Sequence, residues 1–123
     1  MTRFRPKVFE DFEDGDPKVQ ENRVAREVGG KRQPGSGSSV YAKGDVDAND
    51  FLIECKQTKN KSIRIESKWL AKISREAFAV GKDPALSIDI KGQEDEFCER
   101  DWVAIPMSVF KRLLIKDEGG RDE

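Results

Sequence analysis

Three charged residues near the middle of the chain have types and spacing suited to hydrolytic chemistry: Asp45, Glu54 and Lys56. Glu54 and Lys56 stand two apart at the end of the apolar run Phe51-Leu52-Ile53-Glu54-Cys55. Side chains alternate across a strand, so these two point to one side and Cys55 to the other. Asp45 lies nine residues before Glu54, in Gly44-Asp45-Val46. If its strand pairs with that of Glu54, two carboxylates and an ammonium converge at one edge of a sheet. Carboxylate oxygens suit a hard divalent cation. The lysine can stabilise charge developing on a phosphorane, or help orient or deprotonate a water. A bare Glu-x-Lys string is equally the solvated end of a strand. Chemistry is favoured because the string ends a strand of buried type, because Asp45 sits in a turn of its own, and because Glu21 lies on the inward face of the preceding helix.

None of the 123 residues is histidine. Ser–His and Cys–His nucleophile pairs, histidine zinc sites and imidazole bases are thereby excluded. Hydrolysis would have to use carboxylates, lysine and an oxygen-preferring metal such as Mg²⁺, with Mn²⁺ able to substitute. Cys55 and Cys98 have no metal-ligand spacing and read as small, half-buried residues. The formal charge of −1 does not itself point to nucleic acid. Its distribution is uneven, however. Acidic residues crowd positions 10–16 and 117–123, whereas Lys31, Arg32, Lys43, Lys56, Lys59, Lys61 and Arg64 can form a basic face. No apolar run reaches the length of a membrane span and the N-terminus has no signal-peptide pattern, so a cytoplasmic location is expected.

The elements that must position these groups can be read in order. Residues 1–15 form an N-terminal arm with Phe4, Phe9 and Phe12. Asp16-Pro17 starts a helix, with Asp as N-cap and Pro at the first helical position, and Gly29-Gly30 stops it after Val28. Val24, Ala25 and Val28 mark its apolar face, and Glu21 falls on that side. Glu27 falls with Gln20 and Arg23 on the other and remains an alternative helix carboxylate. A polar, glycine-rich loop is expected over 31–39, then strands over 41–46, 51–55 and 62–66, the last from the alternation in Ser-Ile-Arg-Ile-Glu. A helix over 67–80 presents Leu70, Ile73, Ala77 and Val80, with Gly81 closing it. Strands over 85–90 and 102–105 follow, then a helix after Pro106 carrying Val109, Phe110, Leu113 and Leu114, and a frayed tail from 117 to 123. Trp69 and Trp102 read as core or interface residues and Tyr41 as a cover for the sheet edge or a DNA contact. This order predicts an α/β fold, a mixed central sheet flanked by helices, in a single domain over 16–116.

From Glu21 to Ile90 the chain resembles the PD-(D/E)XK nuclease superfamily, and within it the Holliday junction resolvases of archaea and phages. The resemblance is carried by the helix glutamate, Gly29-Gly30-Lys31-Arg32-Gln33-Pro34-Gly35-Ser36-Gly37-Ser38-Ser39, Lys43-Gly44-Asp45-Val46, and Asp50-Phe51-Leu52-Ile53-Glu54-Cys55-Lys56-Gln57-Thr58. Gly44 stands where the family's motif has proline. The resemblance implies a restriction-endonuclease-like core and a Mg²⁺-dependent DNA endonuclease acting as a homodimer on four-way junctions. Glu21, Asp45 and Glu54 would be metal ligands and Lys56 a catalytic lysine. Lys31, Arg32, Ser36 and Ser38 in the loop, with Gln57, Lys59 and Lys61 after the catalytic strand, would meet DNA. Nicking, flap or restriction-like cleavage is an alternative, as is a DNA-binding module on the same fold without catalysis.

Overall fold

The computed structural model describes residues 16–33 and 44–122, with the side chains of the last helix described as far as Lys116. In chain order the elements are α1 (Pro17–Val28), β1 (Lys31–Arg32), β2 (Val46–Ala48), β3 (Phe51–Thr58), α2 (Ser67–Ala79), β4 (Asp83–Ile90), β5 (Asp101–Ala104) and α3 (Met107–Asp122). The five strands form one sheet in the order β1-β2-β3-β4-β5. Only β3 and β4 run parallel; every other neighbouring pair is antiparallel. A parallel pair needs a crossover, and α2 supplies it. The chain is thus α/β, with a mixed sheet flanked by helices.

Local chemistry accounts for the first helix. The Asp16 carboxylate accepts from the Lys18 N–H at 2.9 Å, and Pro17 occupies the first turn. A cap of this kind stabilises a helix by about 1 kcal/mol. Gly29 ends the helix at φ +70°, a left-handed conformation that costs glycine little. Asn49, at φ +57°, makes the tight link from β2 to β3, another position where a left-handed residue is tolerated.

The sheet buries its two faces differently. Val24 and Ala25 of α1 pack with Val46, Ile53 and Ala85 in one cluster. Leu52 packs with Ile73 and Ala77 of α2 in another. Odd-numbered β3 residues such as Ile53 therefore face α1, and even-numbered ones face α2. Glu54 and Lys56 share the parity of Leu52, which places them on the α2 side.

Several boundaries differ from the sequence reading. Residues 62–66 form no strand, despite their alternation. β3 already has β2 and β4 as neighbours, so the stretch after it is used as the connection to α2. Lys31 and Arg32, expected in a loop, form the short edge strand β1 against Val46 and Asp47. The strand expected over 41–46 begins at Val46, and positions 41–43 lie outside the described residues. β3 continues through Lys56, Gln57 and Thr58, because each pairs with β4. On α2 only Ile73 and Ala77 are buried, while Leu70 and Val80 are exposed. Val28 is exposed as well, and Gln20, assigned to the outer side of α1, is buried. On α3 Val109 is buried, but Phe110, Leu113 and Leu114 are exposed. Among the described residues, no helix is long and apolar enough to cross a membrane.

Candidate active site

β2 and β3 deliver the central pair. Their register places Val46 opposite Ile53. One step further out, the Asp45 N–H donates to the Ile53 carbonyl at 2.8 Å, so Asp45 and Val46 both lie against Ile53, as at a bulge that ends the ladder. The Asp45 Oδ2 accepts from the Cys55 N–H at 2.7 Å, which fixes the carboxylate against β3. Both carboxylates are 8% exposed, so they are withdrawn from bulk water while remaining near the surface.

Lys56 lies two residues beyond Glu54 on the same face, with its Nζ 3.6 Å from Glu54 Oε2. The same ammonium stands 4.5 Å from the centre of the Trp69 ring on α2, within cation–π range. Trp69 therefore contacts the site, which its reading as a core or interface residue did not anticipate. The strand carrying Lys56 is held from the other face of the sheet, where the Gln20 side-chain amide donates to the Lys56 carbonyl at 2.9 Å.

Glu21 enters from α1. Its side chain is 12% exposed, with Oε1 3.6 Å from Arg32 Nη1. Glu27 is 62% exposed and lies beside Arg23, 4.0 Å away. Of the two helix glutamates, Glu21 is the one within electrostatic reach of the motif. Burial raises its pKa above the ordinary carboxylate range, and Asp45 and Glu54 add to the rise, while Arg32 opposes it. Glu54 is raised in the same way, by burial first and by Asp45 second, with Lys72 and Lys56 opposing. The Cys55 thiol is also pushed up, by burial and by the same three carboxylates, which keeps it protonated and a poor nucleophile.

Two residues of α2 were missed in the sequence. Lys72 Nζ lies 3.3 Å from Glu54 Oε1 and 3.2 Å from Glu76 Oε2. Glu76 Oε1 accepts from the Gly44 N–H at 2.9 Å. Each precedes a buried helix position, Ile73 and Ala77, and that spacing places them at the rim of the packed face. This was the available signal.

The expected DNA contacts are dispersed. Lys31 is exposed on β1, and Arg32 is engaged with Glu21. Ser36 and Ser38 lie outside the described residues. Gln57 is on β3, not in a turn, and its Oε1 is buried without a hydrogen-bond partner. Lys59 is exposed, and Lys61 is exposed with its Nζ 3.2 Å from Glu94.

The oxygen donors Asp45, Glu54 and Glu21 suit Mg²⁺ or Mn²⁺ in chemistry, and their mutual repulsion is what a divalent cation relieves. Their geometry is looser. Among the described residues, no three His, Cys, Asp or Glu side chains are gathered closely enough to hold an ion, and both Glu54 oxygens face lysine ammonium groups. No family model matches the chain, and neither does any curated protein or solved structure.

Proposed function

We propose that this chain is a metal-dependent DNA endonuclease with Asp45, Glu54 and Lys56 at its active site. One observation carries the reading: a buried Asp45, just before β2 and bonded to the Cys55 N–H, near a buried Glu54 on β3, with Lys56 on the same face as Glu54 two residues on. Proximity of buried carboxylates is costly even with lysines nearby, and perturbed carboxyl groups of this kind concentrate at functional sites. Asp45 and Glu54, with Glu21 in reach, would hold Mg²⁺. When bound, the cation supplies Lewis-acid polarisation of the phosphodiester and lowers the pKa of a water.

The chain's own residues do the rest. Lys56, steadied by Trp69, presents an ammonium to the non-bridging oxygens as negative charge grows there. The Cys55 N–H holds the Asp45 carboxylate in one orientation. Lys31, Arg32, Lys59 and Lys61 would supply cations for the phosphate backbone, and the hydroxyls of Ser36 and Ser38 and the amide of Gln57 would supply neutral hydrogen-bond donors. The resemblance to junction resolvases extends the proposal to four-way DNA junctions, a homodimer and a cytoplasmic setting.

The test is cleavage of synthetic four-way, flap and linear DNA with Mg²⁺ or Mn²⁺, beside Asp45→Ala and Lys56→Ala. Cutting by the parent and not by the variants supports the proposal; equal cutting by all three sinks it. A second reading, a DNA-binding module without catalysis, is favoured by the absence of a three-carboxylate grouping among the described residues. It predicts junction binding without metal-dependent cleavage.

A further inference from the structure

We infer that Lys72 and Glu76 are a positioning pair that couples the turn carrying Asp45 to the carboxylate of Glu54. For its catalytic consequence this rests on the nuclease reading; the coupling itself stands on geometry alone. Trp69, Lys72 and Glu76 are three and four residues apart and so form one stripe along α2. Buried Ile73 and Ala77, packed with Leu52, pin that stripe over β3. Each member reaches a different part of the motif: Trp69 the Lys56 ammonium, Lys72 the Glu54 carboxylate, and Glu76 the Gly44 backbone.

Gly44 explains why the pair is needed. It adopts φ +75°, and a Cβ there would lie 2.6 Å from Leu52 Cγ. Proline cannot adopt that φ and has no N–H to donate. Here the turn before Asp45 is held by a hydrogen bond, from the Gly44 N–H to Glu76 Oε1. The second oxygen of Glu76 holds Lys72, and Lys72 holds Glu54. A continuous polar chain therefore runs from the residue before Asp45 to Glu54, through one helix. Glu76 is only 14% exposed while Lys72 is 44% exposed, so the carboxylate end of the pair is shielded and the ammonium end is partly solvated.

The experiment compares Glu76→Ala, Glu76→Gln and Lys72→Met in the full chain. Without metal or DNA, NMR follows amide exchange at Gly44 and the carboxyl carbon of Glu54. Glu76→Ala is expected to speed Gly44 exchange about tenfold or more. Glu76→Gln keeps the acceptor oxygen and restores protection, and Lys72→Met moves the Glu54 resonance. With Mg²⁺ and a four-way junction, Glu76→Ala should lower kcat by about 100-fold with KM within a few-fold, as expected for misplaced groups. The double variant Glu76→Ala/Lys72→Met should be no worse than the more impaired single variant, because coupled residues are non-additive. Unchanged Gly44 exchange in Glu76→Ala, or strictly additive losses in kcat, overturns the pairing. Absence of cleavage by the parent protein defeats the nuclease reading instead, and the NMR comparison still decides the coupling.

Discussion

The sheet holds two buried carboxylate clusters that solve the same electrostatic problem in opposite ways. Asp89, 1% exposed on β4, is enclosed by guanidinium groups. Arg23 approaches it at 3.1 Å, and Arg100 binds it through Nε at 2.8 Å and Nη2 at 2.9 Å. Arg23 also reaches Asp101 at 2.8 Å, so the cluster ties α1 to β4 and β5. Glu54, on the adjacent strand, has a carboxylate neighbour in Asp45 and another in Glu21, with one lysine ammonium at each of its oxygens. Forked guanidinium pairs satisfy a buried charge and fasten elements together. Neighbouring carboxylates raise one another's pKa, and point-charge lysines offset that only in part. The first arrangement fastens three elements together, and the second gathers like charges where the proposed function would use them.

The comparison breaks most visibly at Asp89. Asp89→Ala should cost about 3 kcal/mol, the low end for a broken buried pair, since it removes the carboxylate shared by Arg23 and Arg100 while Arg23 keeps Asp101. Urea denaturation measures that loss, and a small shift in midpoint would refute the anchoring role. At the other cluster the loss should appear in activity. Asp45→Ala and Lys56→Ala should each lower cleavage by about 100–1,000-fold, the scale of a lost transition-state contact. A metal-dependent nuclease assay reads this directly, with thermal melting to confirm that the variants fold.

Glu54→Gln gives the sharper contrast, because activity and stability should move in opposite directions. Removing the desolvated charge should stabilise the fold at pH 7 by about 0.5–2 kcal/mol while abolishing cleavage. The sign follows from the raised pKa of Glu54. A carboxyl raised in the folded state is favoured below its ordinary value of 4.5, and that stability is lost as pH rises through the folded value. The advantage of Gln should therefore grow with pH and vanish toward pH 4.5, as denaturation across that range would show. The smallest effect belongs to the solvated pair Lys61–Glu94, both about three-quarters exposed. Lys61→Ala should leave the melting temperature unchanged and reduce the salt slope of DNA binding by about one.

Much of the layout was legible in the residues. Asp16-Pro17 and Gly29 delimit α1 by local rules that need no tertiary context, and the apolar run from Phe51 marks the central strand. The alternation at 62–66 misled because periodicity reports which face could be buried, not whether a neighbouring edge is open. Trp102, expected in the core or at an interface, is 54% exposed on the edge strand β5 and so is no core residue. Long-range partners decide such cases.

For the site, the sequence by itself determined the chemical repertoire and one local relation. Without histidine, any acid–base or metal chemistry falls to carboxylates and lysine, and strand periodicity puts Glu54 and Lys56 on one face. Tertiary structure alone decided that Asp45 lies beside Glu54, that Glu21 and not Glu27 approaches them, and that Lys72 and Glu76 join the motif from α2. The physical reason is range. Capping and alternation act within a few residues and are written locally, whereas burial and charge pairing depend on which elements the sheet brings together.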